Sequence, residues 1–354
     1  MKPVTTLTRE VAEAALLGGA VLGGGGGGSL SKGRLNAERA LSLGEVRLLD
    51  ADEVDPDTIL VTGSAVGAPA AKEAQALPQD YVRAVELLME NGCPRPGGFI
   101  PNECGGSSIT NGWLSAALMG LPVVDALCNG RAHPTGIMGS MGLHRDPDYL
   151  SRQAAVGGNP ERGLYLETFV AGRLETAASM VRIAAEKAGG LVAVARNPVK
   201  ASYARQFGAP GALRQAIALG GRMMDARADG GEAVARSVVG FLDGSVVLRS
   251  EVTEVTLETR GGFDVGRVLL GTCEATFWNE YMTLEVCGRR IGTFPDLIAT
   301  LREDDGLPVA TAELQKGDRV FVIHVPADRL ILGEGMRCEE LLRAVEPIVG
   351  KTIV

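Results

Sequence analysis

The first half of the chain alternates short apolar runs with amphipathic segments, which is the pattern of an α/β fold. Residues 58–62 and 121–127 form apolar runs, and residues 79–90 carry apolar side chains at helical spacing. Short apolar runs bounded by turn residues indicate strands buried on both faces, as in a parallel sheet. Aromatic residues make up only 4% of the chain, so Val, Leu, Ile and Ala must build the core. We therefore expect a layered α/β/α domain at the N-terminus.

The second half changes character after Asn159-Pro160. The pattern predicts a long helical segment over residues 167–188, a strand over 191–195 and a helix over 212–229. From residue 238 onward, short alternating segments are separated by turns that contain glycine, which is typical of antiparallel hairpins. The predicted domains are an α/β domain over residues 1–165 and a C-terminal domain over 166–354, with a helical connector (166–235), a β-rich barrel or sandwich (236–330) and a closing helix over 338–345.

Six consecutive glycines, residues 23–28, follow a predicted helix that Thr8 caps and that Gly18-Gly19 should weaken. The pattern GxGxxG can be found in this run, but six glycines match any spacing, and a dinucleotide fold needs a preceding strand. Consecutive glycines can instead alternate the sign of φ and direct backbone N–H groups at an anion. Three of them are thus predicted to bind substrate: Gly25, Gly26 and Gly27. A flexible linker and a nucleotide-binding loop are the alternatives.

Three loops are predicted to meet at the carboxyl ends of parallel strands, where α/β sheets bind ligands. They cover residues 63–69, 103–111 and 125–134. Their carboxylates, guanidinium and imidazole could act as general base, anion stabiliser and proton shuttle. The predicted catalytic residues are Glu103, Asp125, Arg131 and His133, and the predicted substrate-binding residues are Gly105, Gly106, Asn111 and Asn129. A helix-capping role is the alternative for Asp125, and an ion pair in the loop is the alternative for Arg131.

The apolar face of one predicted strand changes phase between Phe277 and Met282. A β-bulge would restore the register and re-aim the intervening polar side chains, and bulges are common beside active sites. Asn279 and Glu280 are therefore predicted to bind substrate. A solvated sheet edge is the alternative.

Histidines and cysteines define what metal chemistry the sequence allows. Of the three histidines, His144 is expected in a solvated loop, and His324 is expected half-buried in a strand. The six cysteines include no Cys-x-x-Cys pair, so neither a disulfide framework nor a zinc ribbon is expected. The sequence allows a divalent metal as a cofactor, because four side chains of ligand type could meet where the three loops converge, although no characteristic spacing specifies a site: Glu103, Asp125, Cys128 and His133.

Charge and hydropathy restrict the partners. The net charge is −8 and no basic stripe with interleaved aromatics is present, which argues against nucleic acid. No apolar run approaches the ~18 residues of a membrane span, and no signal-like segment follows Met1. We expect a cytoplasmic homo-oligomer that binds a small molecule.

Several short motifs are distributed along the chain, among them Asn102-Glu103-Cys104-Gly105-Gly106 and Pro122-Val123-Val124-Asp125. The others lie at residues 22–28, 67–69, 77–78, 130–132, 262–266, 279–280 and 294–298. In their order and spacing they resemble the S-methyl thiohydantoin desulfurase family over nearly the whole chain. The resemblance implies an α/β N-terminal domain, a β-rich C-terminal domain and hydrolytic removal of sulfur from a five-membered thiohydantoin ring. It also implies association with hydantoinase- or oxoprolinase-type proteins.

The chain departs from the family pattern in one loop. Leu127-Cys128 stands where relatives usually carry a second acid, and His133-Pro134-Thr135 stands where they tend to have Phe-Pro-Glu. We expect a hydrolase of a cyclic amide or thioamide in which Asp125 or His133 activates water. The alternative is a non-catalytic ligand-binding or scaffolding subunit of a hydantoinase- or oxoprolinase-type complex, in which these acids have been lost.

Overall fold

The computed structural model describes residues 6–67, 74–260 and 263–354. The helices are α1 (Arg9–Leu22), α2 (Leu30–Leu43), α3 (Pro78–Glu90), α4 (Trp113–Met119), α5 (Leu174–Lys187), α6 (Ala201–Phe207), α7 (Ala212–Ala226), α8 (Gly231–Leu242), α9 (Glu339–Arg343) and α10 (Glu346–Val349). None of the helices in these described ranges combines the length and the apolar character that a bilayer span requires.

The strands form two sheets. They are β1 (Leu48–Asp50), β2 (Ile59–Gly67), β3 (Gly98–Pro101), β4 (Val123–Leu127), β5 (Ser151–Gly157), β6 (Leu166–Gly172), β7 (Leu191–Lys200), β8 (Ala209–Pro210), β9 (Ser245–Arg260), β10 (Phe263–Leu270), β11 (Cys273–Trp278), β12 (Glu280–Val286), β13 (Arg289–Thr293), β14 (Leu297–Arg302), β15 (Pro308–Val309) and β16 (Arg319–Val325). The predicted loop at 63–69 and the motifs at 67–69 and 262–266 are described only in part, because residues 68–69 and 262 lie outside the described residues.

The first sheet has the order β1-β4-β3-β2-β7-β5-β6, and β8 pairs with β4. Its first four strands are parallel, and β7, β5 and β6 are antiparallel to their neighbours. Along β5, Ala155 packs in the cluster under α5, whereas Ala154 and Val156 pack in the cluster that includes α3. Because adjacent strand residues face opposite sides, helices cover both faces. The predicted α/β/α layering is confirmed.

The second sheet is antiparallel, with the order β13-β12-β11-β10-β9-β16-β14-β15. The predicted β-rich C-terminal domain is confirmed, and the order of its described strands does not close into a barrel. Strands β6 and β7 lie beyond residue 165 in the chain, yet they pair within the first sheet. The hydrogen bonding of the first sheet therefore continues past the predicted domain boundary.

Three predicted segments differ from the structure, and several observed elements were not predicted. Residues 167–188 begin as strand β6 before α5, because Thr168, Phe169 and Val170 are strand formers that pair with β5. The predicted loop at 63–69 is strand β2 as far as Gly67. Helix α8 and strands β13 and β14 were not predicted. The closing helix predicted over 338–345 is α9, which ends at Arg343. The chain continues into a separate short helix, α10, and Pro347, which lacks a backbone N–H, lies in its first turn.

Helix α1 begins where predicted, because the Thr8 side chain accepts a hydrogen bond from the Val11 amide at 3.2 Å. The expected weakening at Gly18-Gly19 is wrong, since the helix continues to Leu22. A Cβ atom at Gly18 would overlap the carbonyl oxygen of Ala216 on α7. Gly18 therefore lets the backbones of α1 and α7 approach closely, and this packing offsets its poor helix propensity.

Replacing Gly220 on α7 by alanine is expected to lower the free energy of unfolding by about 1–3 kcal/mol, because overpacking forces backbone shifts. The added Cβ would overlap the carbonyl oxygen of Ala14 on α1. At the neighbouring Gly221, an added Cβ would meet no heavy atom of the described residues within 4 Å beyond its own helix and chain neighbours. Gly221→Ala should therefore raise stability by up to ~1 kcal/mol through helix propensity. Urea unfolding of both variants tests the contact, and equal effects would contradict it.

Candidate functional site

Four buried ionisable side chains lie where the two domains meet, and we call them the central cluster. Glu103 follows β3, Arg131 and His133 follow β4, and Glu280 is the first residue of β12. Their exposed fractions are 7%, 0%, 6% and 2% in that order. Burying charged groups is costly unless they are paired, so such a cluster is typical of a functional site.

Glu103 and His133 are in direct contact. Oε2 of Glu103 accepts a hydrogen bond from the backbone N–H of His133 at 3.3 Å and lies 3.2 Å from the ring Nε2. The ring is not aligned for a hydrogen bond at that distance, and neither ring nitrogen has another partner in the described part of the chain. Burial, together with the positive charge of Arg196, lowers the pKa of His133 to about 4. The imidazole is therefore neutral at pH 7.

The two carboxyl groups of the central cluster hold protons unusually tightly. Burial raises the pKa of Glu103 to about 7, against the backbone hydrogen bond from His133 and the charge of Arg196. Burial also raises the pKa of Glu280 well above its ordinary value, and the charge of Glu103 adds to this while that of Arg131 opposes it. Glu103 can thus exchange a proton near neutral pH, which a general base requires.

Arg131 is a buried cation with unused donors. Its Nη1 donates to the carbonyl oxygens of Pro295, at 2.9 Å, and Asp296, and its guanidinium carbon lies 4.6 Å from the centre of the Phe294 ring. Burial lowers its pKa to about 10, so it remains charged at pH 7. Nε and Nη2 have no acceptor among the described residues. These N–H groups are available to a ligand atom that carries negative charge.

The glycine run forms one wall of the central cluster. A Cβ atom at Gly24 would lie 2.7 Å from Nη2 of Arg131, and one at Gly26 would overlap Oε1 of Glu280. The carbonyl oxygens of Gly24 and Gly25 accept hydrogen bonds of 2.9 Å from the amides of Tyr281 and Thr311. The loop therefore binds to the C-terminal domain, and only glycine leaves room for the two charged side chains.

Only some backbone N–H groups of the glycine run are free to bind an anion. The amides of Gly23 and Gly24 donate to carbonyl oxygens of α1, and the amide of Gly26 donates to the carbonyl oxygen of Gly23. The carbonyl oxygen of Gly27 accepts hydrogen bonds from the amides of Ser107 and Ser108, both at 2.9 Å. Helix α1, rather than a strand, precedes the run, so the context of a dinucleotide-binding motif is missing.

Asp125 lies at the N-terminus of α7 and faces its backbone. Oδ1 accepts a hydrogen bond from the amide of Leu213 at 2.8 Å, and Oδ2 accepts one from the amide of Arg214 at 3.0 Å. Burial raises its pKa to about 6, against these two hydrogen bonds. Each oxygen accepts a hydrogen bond from the first turn of α7, which is the capping alternative.

The other predicted substrate-binding residues of the N-terminal domain mainly hold loops together. A Cβ atom at Gly105 would lie 2.5 Å from Cα of Gly27, and one at Gly106 would overlap the carbonyl oxygen of Gly28. Asn111 donates from Nδ2 to Oδ1 of Asn102 at 2.6 Å, next to Glu103 in the chain. Asn129 is fully buried, and its Oδ1 accepts a hydrogen bond from the Gly333 amide at 3.2 Å.

The single predicted strand that contains Phe277 and Met282 is wrong, because these residues lie on the two strands of a hairpin, β11 and β12, which turns at Asn279. The turn accounts for the change of apolar phase, and a β-bulge is present but lies within β12. Thr276 pairs with Thr283 and Phe277 pairs with Tyr281, which leaves Met282 as the extra residue. Asn279 has a positive φ of 56° and uses its Oδ1 to accept a hydrogen bond from the Asp264 amide at 2.9 Å. Asn279 therefore shapes the turn, and the turn directs the Glu280 side chain into the interior.

Arg196 is a residue of this site that the sequence reasoning missed. It lies on β7, is 7% exposed, and its charge acts on Glu103, His133 and Cys128. The strand was predicted to end at Ala195, which left the arginine outside it. A charged residue continuing an apolar strand was the signal available.

The predicted metal ligands Glu103, Asp125, Cys128 and His133 do not assemble around one point. Cys128 lies 3.3 Å from the hydroxyl of Thr62, and Asp125 faces α7. Within the described residues, the group of three or more His, Cys, Asp or Glu donors is His144, Cys338 and Glu340.

The other two histidines differ in how well they were predicted. The solvated loop expected for His144 is wrong, because its side chain is only 8% exposed. His324 is half-buried as predicted, with Nε2 3.0 Å from Oδ2 of Asp296. Asp296 lies beside the central cluster, since its carbonyl oxygen accepts a hydrogen bond from Arg131.

Comparison with known proteins covers nearly the whole chain. Residues 11–156 match a family model described as S-Me-THD-like, N-terminal domain, and residues 173–342 match one described as S-Me-THD-like, C-terminal domain. The crystal structure of a protein from Chromobacterium violaceum is similar, with a TM-score of 0.72, 22% sequence identity and coverage of 97% of this chain and 96% of that chain. At this identity the similarity shows a shared fold. No curated protein matches the chain.

Proposed function

The chain belongs to the S-methyl thiohydantoin desulfurase family, and from this we propose that it is a hydrolase that cleaves a C–S bond on a thiohydantoin-like ring. One observation carries the proposal. Glu103, whose pKa is about 7, lies in one buried cluster with Arg131, which has two N–H groups without acceptors among the described residues. A base and a preorganised cation are the two groups that hydrolysis of a cyclic thioimidate needs.

In the first step, Glu103 removes a proton from water, and the water oxygen bonds to the ring carbon that carries sulfur. The electron pair of the C=N bond moves to the ring nitrogen. Arg131 stabilises this developing negative charge through Nε and Nη2, and burial strengthens the interaction. The product of the step is a tetrahedral carbon bonded to hydroxyl, nitrogen and sulfur.

In the second step, the tetrahedral carbon collapses to a carbonyl and the C–S bond breaks. The sulfur leaves with the bonding electron pair and takes the proton held by Glu103, so that a thiol is released. Neutral His133 relays the hydroxyl proton to the ring nitrogen. The two protons of water thus end on sulfur and nitrogen, and the ring becomes a hydantoin-type amide.

Asp125 has a positioning role in this proposal. Its carboxylate binds the first amides of α7, and its strand, β4, leads directly to the loop that carries Arg131 and His133. Capping of this kind fixes the start of a helix relative to the strand. In this proposal Glu103, rather than Asp125, activates the water molecule.

Substrate access is proposed at the glycine run. The cavity beside Gly25, Gly26 and Gly28 has room for about one water molecule, so a ring must displace this loop to reach Arg131. Glycines can adopt many backbone conformations, and such loops commonly open on substrate binding.

Incubation of the purified protein with an S-methyl thiohydantoin, the unsubstituted thiohydantoin and hydantoin tests the function. We expect thiol release and a change of ring absorbance with the first substrate. The variant Glu38→Gln, at an exposed position on α2, serves as a control with unchanged activity. Binding of the ring without thiol release would contradict the hydrolase and favour a scaffolding subunit of a hydantoinase- or oxoprolinase-type complex.

The activity should rise with pH through the pKa of Glu103, which is about 7. The base must be ionised, and below its pKa the ionised fraction falls about tenfold per pH unit. The kcat/KM profile should therefore increase to a plateau above neutrality. His133, with a pKa of about 4, stays neutral over this range. A wild-type profile that does not change near neutrality would contradict Glu103 as the base.

A further inference from the structure

A second group of potential ligands lies outside the central cluster. One nitrogen of His144, the sulfur of Cys338 and one carboxylate oxygen of Glu340 all lie within 4.8 Å of one another. His144 belongs to the loop that follows β4, whereas Cys338 and Glu340 lie at the start of α9. Nitrogen, sulfur and oxygen donors of these types form the ligand set of zinc.

The histidine ring is oriented toward Glu340. Its Nδ1 lies 3.4 Å from the hydroxyl of Ser140, and its Nε2 lies 3.2 Å from Oε1 of Glu340. Ligands about 2.0–2.3 Å from a tetrahedral metal are about 3.3–3.7 Å apart. The observed Nε2–Oε1 separation is therefore close to that of two ligands on one ion. A contact that fixes the second ring nitrogen is typical of metal-binding histidine.

Arg145 does not prevent Glu340 from binding a metal. Its Nε and Nη2 donate to the two oxygens of Glu340 at 2.7 and 2.9 Å. Each carboxylate oxygen has two acceptor positions, so Oε1 can bind an ion while it accepts from the arginine. Such hydrogen bonds commonly support ligating carboxylates.

The local charge also matches a divalent cation. With the Cys338 thiol ionised, the group contains a thiolate and the carboxylates of Glu340 and Glu334, and Glu334 is 3.3 Å from Nη1 of Arg145. Three negative charges face the single positive charge of Arg145. A divalent ion would neutralise the remaining two.

We propose that His144, Cys338 and Glu340 bind a divalent transition-metal ion of the zinc type, with water as the fourth ligand. Binding requires neutral imidazole and thiolate, so the Cys338 proton is released to solvent. The ion would join α9 to the loop that follows β4. The site is separate from the proposed hydrolase chemistry and is tested without any assay of activity.

Cobalt(II) titration of the full chain, reduced and freed of metal by a chelator, tests this site. We expect one equivalent to bind with a thiolate-to-cobalt charge-transfer band, and zinc to displace it. Cys338→Ser should abolish the band and weaken cobalt binding by at least about 100-fold. Mutation of a residue that supports a metal ligand typically lowers the metal affinity by about 10–100-fold, and loss of a ligand itself should lower it at least as much. Cys287→Ser, at an exposed cysteine, should leave both unchanged.

Thermal unfolding separates loss of the site from loss of the fold. Zinc should raise the Tm of the wild type and of Cys287→Ser, because a ligand that binds the native state stabilises it. Without metal, Cys338→Ser should unfold cooperatively near the wild-type Tm, and zinc should not shift it. Ser140→Ala should weaken cobalt binding by about 10–100-fold. Absence of the band in the wild type, or its persistence in Cys338→Ser, would overturn the proposal.

Discussion

Glu103→Gln is expected to lower the rate of thiol release by about 10²–10⁴-fold, the range typical for loss of a general base. Glutamine preserves the size of the side chain and an oxygen that can accept the hydrogen bond from the His133 amide. It cannot take a proton from water. The rate should therefore fall through kcat, with a smaller effect on KM.

The same substitution should leave the protein folded. Because burial raises the pKa of Glu103 to about 7, the folded protein already holds much of this carboxyl in the neutral form that glutamine resembles. We expect a cooperative urea transition close to that of the wild type, measured beside the control Glu38→Gln. If folded Glu103→Gln turns over the substrate at the wild-type rate, the proposed mechanism is wrong, and Asp125 or His133 becomes the candidate base.

Arg131→Met is expected to reduce activity by about 10²–10³-fold, the usual effect of removing a preorganised charge-stabilising donor. It should also lower the free energy of unfolding by about 3–5 kcal/mol, as when one member of a buried charged group is removed. Methionine fills similar space, but it leaves the carbonyl oxygens of Pro295 and Asp296 without their donor. Glu280 also loses its neighbouring cation.

The loss of stability in Arg131→Met should increase with pH. Glu280 has a folded-state pKa above its ordinary value, so folding keeps it protonated where the unfolded chain would ionise it. That contribution is favourable below the unfolded-state pKa and is lost as the pH rises, and removing Arg131 strengthens the effect.

Adding Glu280→Gln to Arg131→Met separates electrostatics from catalysis. The double variant should recover part of the stability, because no carboxyl then needs the cation, and it should recover none of the activity. Arg236→Met serves as the control, because that arginine lies on α8 with its side chain 75% exposed and should change neither property. Full activity in Arg131→Met, or equal destabilisation by Arg236→Met, would contradict these roles.

Much of the fold could be predicted from local patterns. The helix predicted over 79–90, the strand predicted over 121–127 and observed as β4, and the cap at Thr8 depend on neighbours in the chain, which the sequence displays directly. The antiparallel hairpins of the second half likewise follow from alternation and turn residues. Errors occurred where a tertiary contact determined the local structure, as in β6, which pairs with β5.

The site was predictable as a set of residues but not as an arrangement. Glu103, Asp125, Arg131 and His133 were identified because polar side chains follow apolar strands. Arg196 was missed because β7 was predicted to end at Ala195, and its pairing with Thr62 of β2 joins residues that are distant in the sequence. Glu280 and Gly26 are distant in the sequence, and their close contact also depends on how the two domains meet.

The sequence by itself therefore determined the α/β and β-rich halves and the family. These follow from side-chain period, turn chemistry and motif order, all of which are properties of nearby residues. Only the tertiary structure distinguished the surroundings of the two acids, and on this difference the proposal that Glu103 is the base depends. Glu103 and Asp125 both lie near the ends of buried strands, but α7 begins over Asp125 and donates two backbone hydrogen bonds to it, whereas Glu103 lies beside His133. Burial then sets the proton affinities, because desolvation depends on what surrounds a carboxyl in three dimensions.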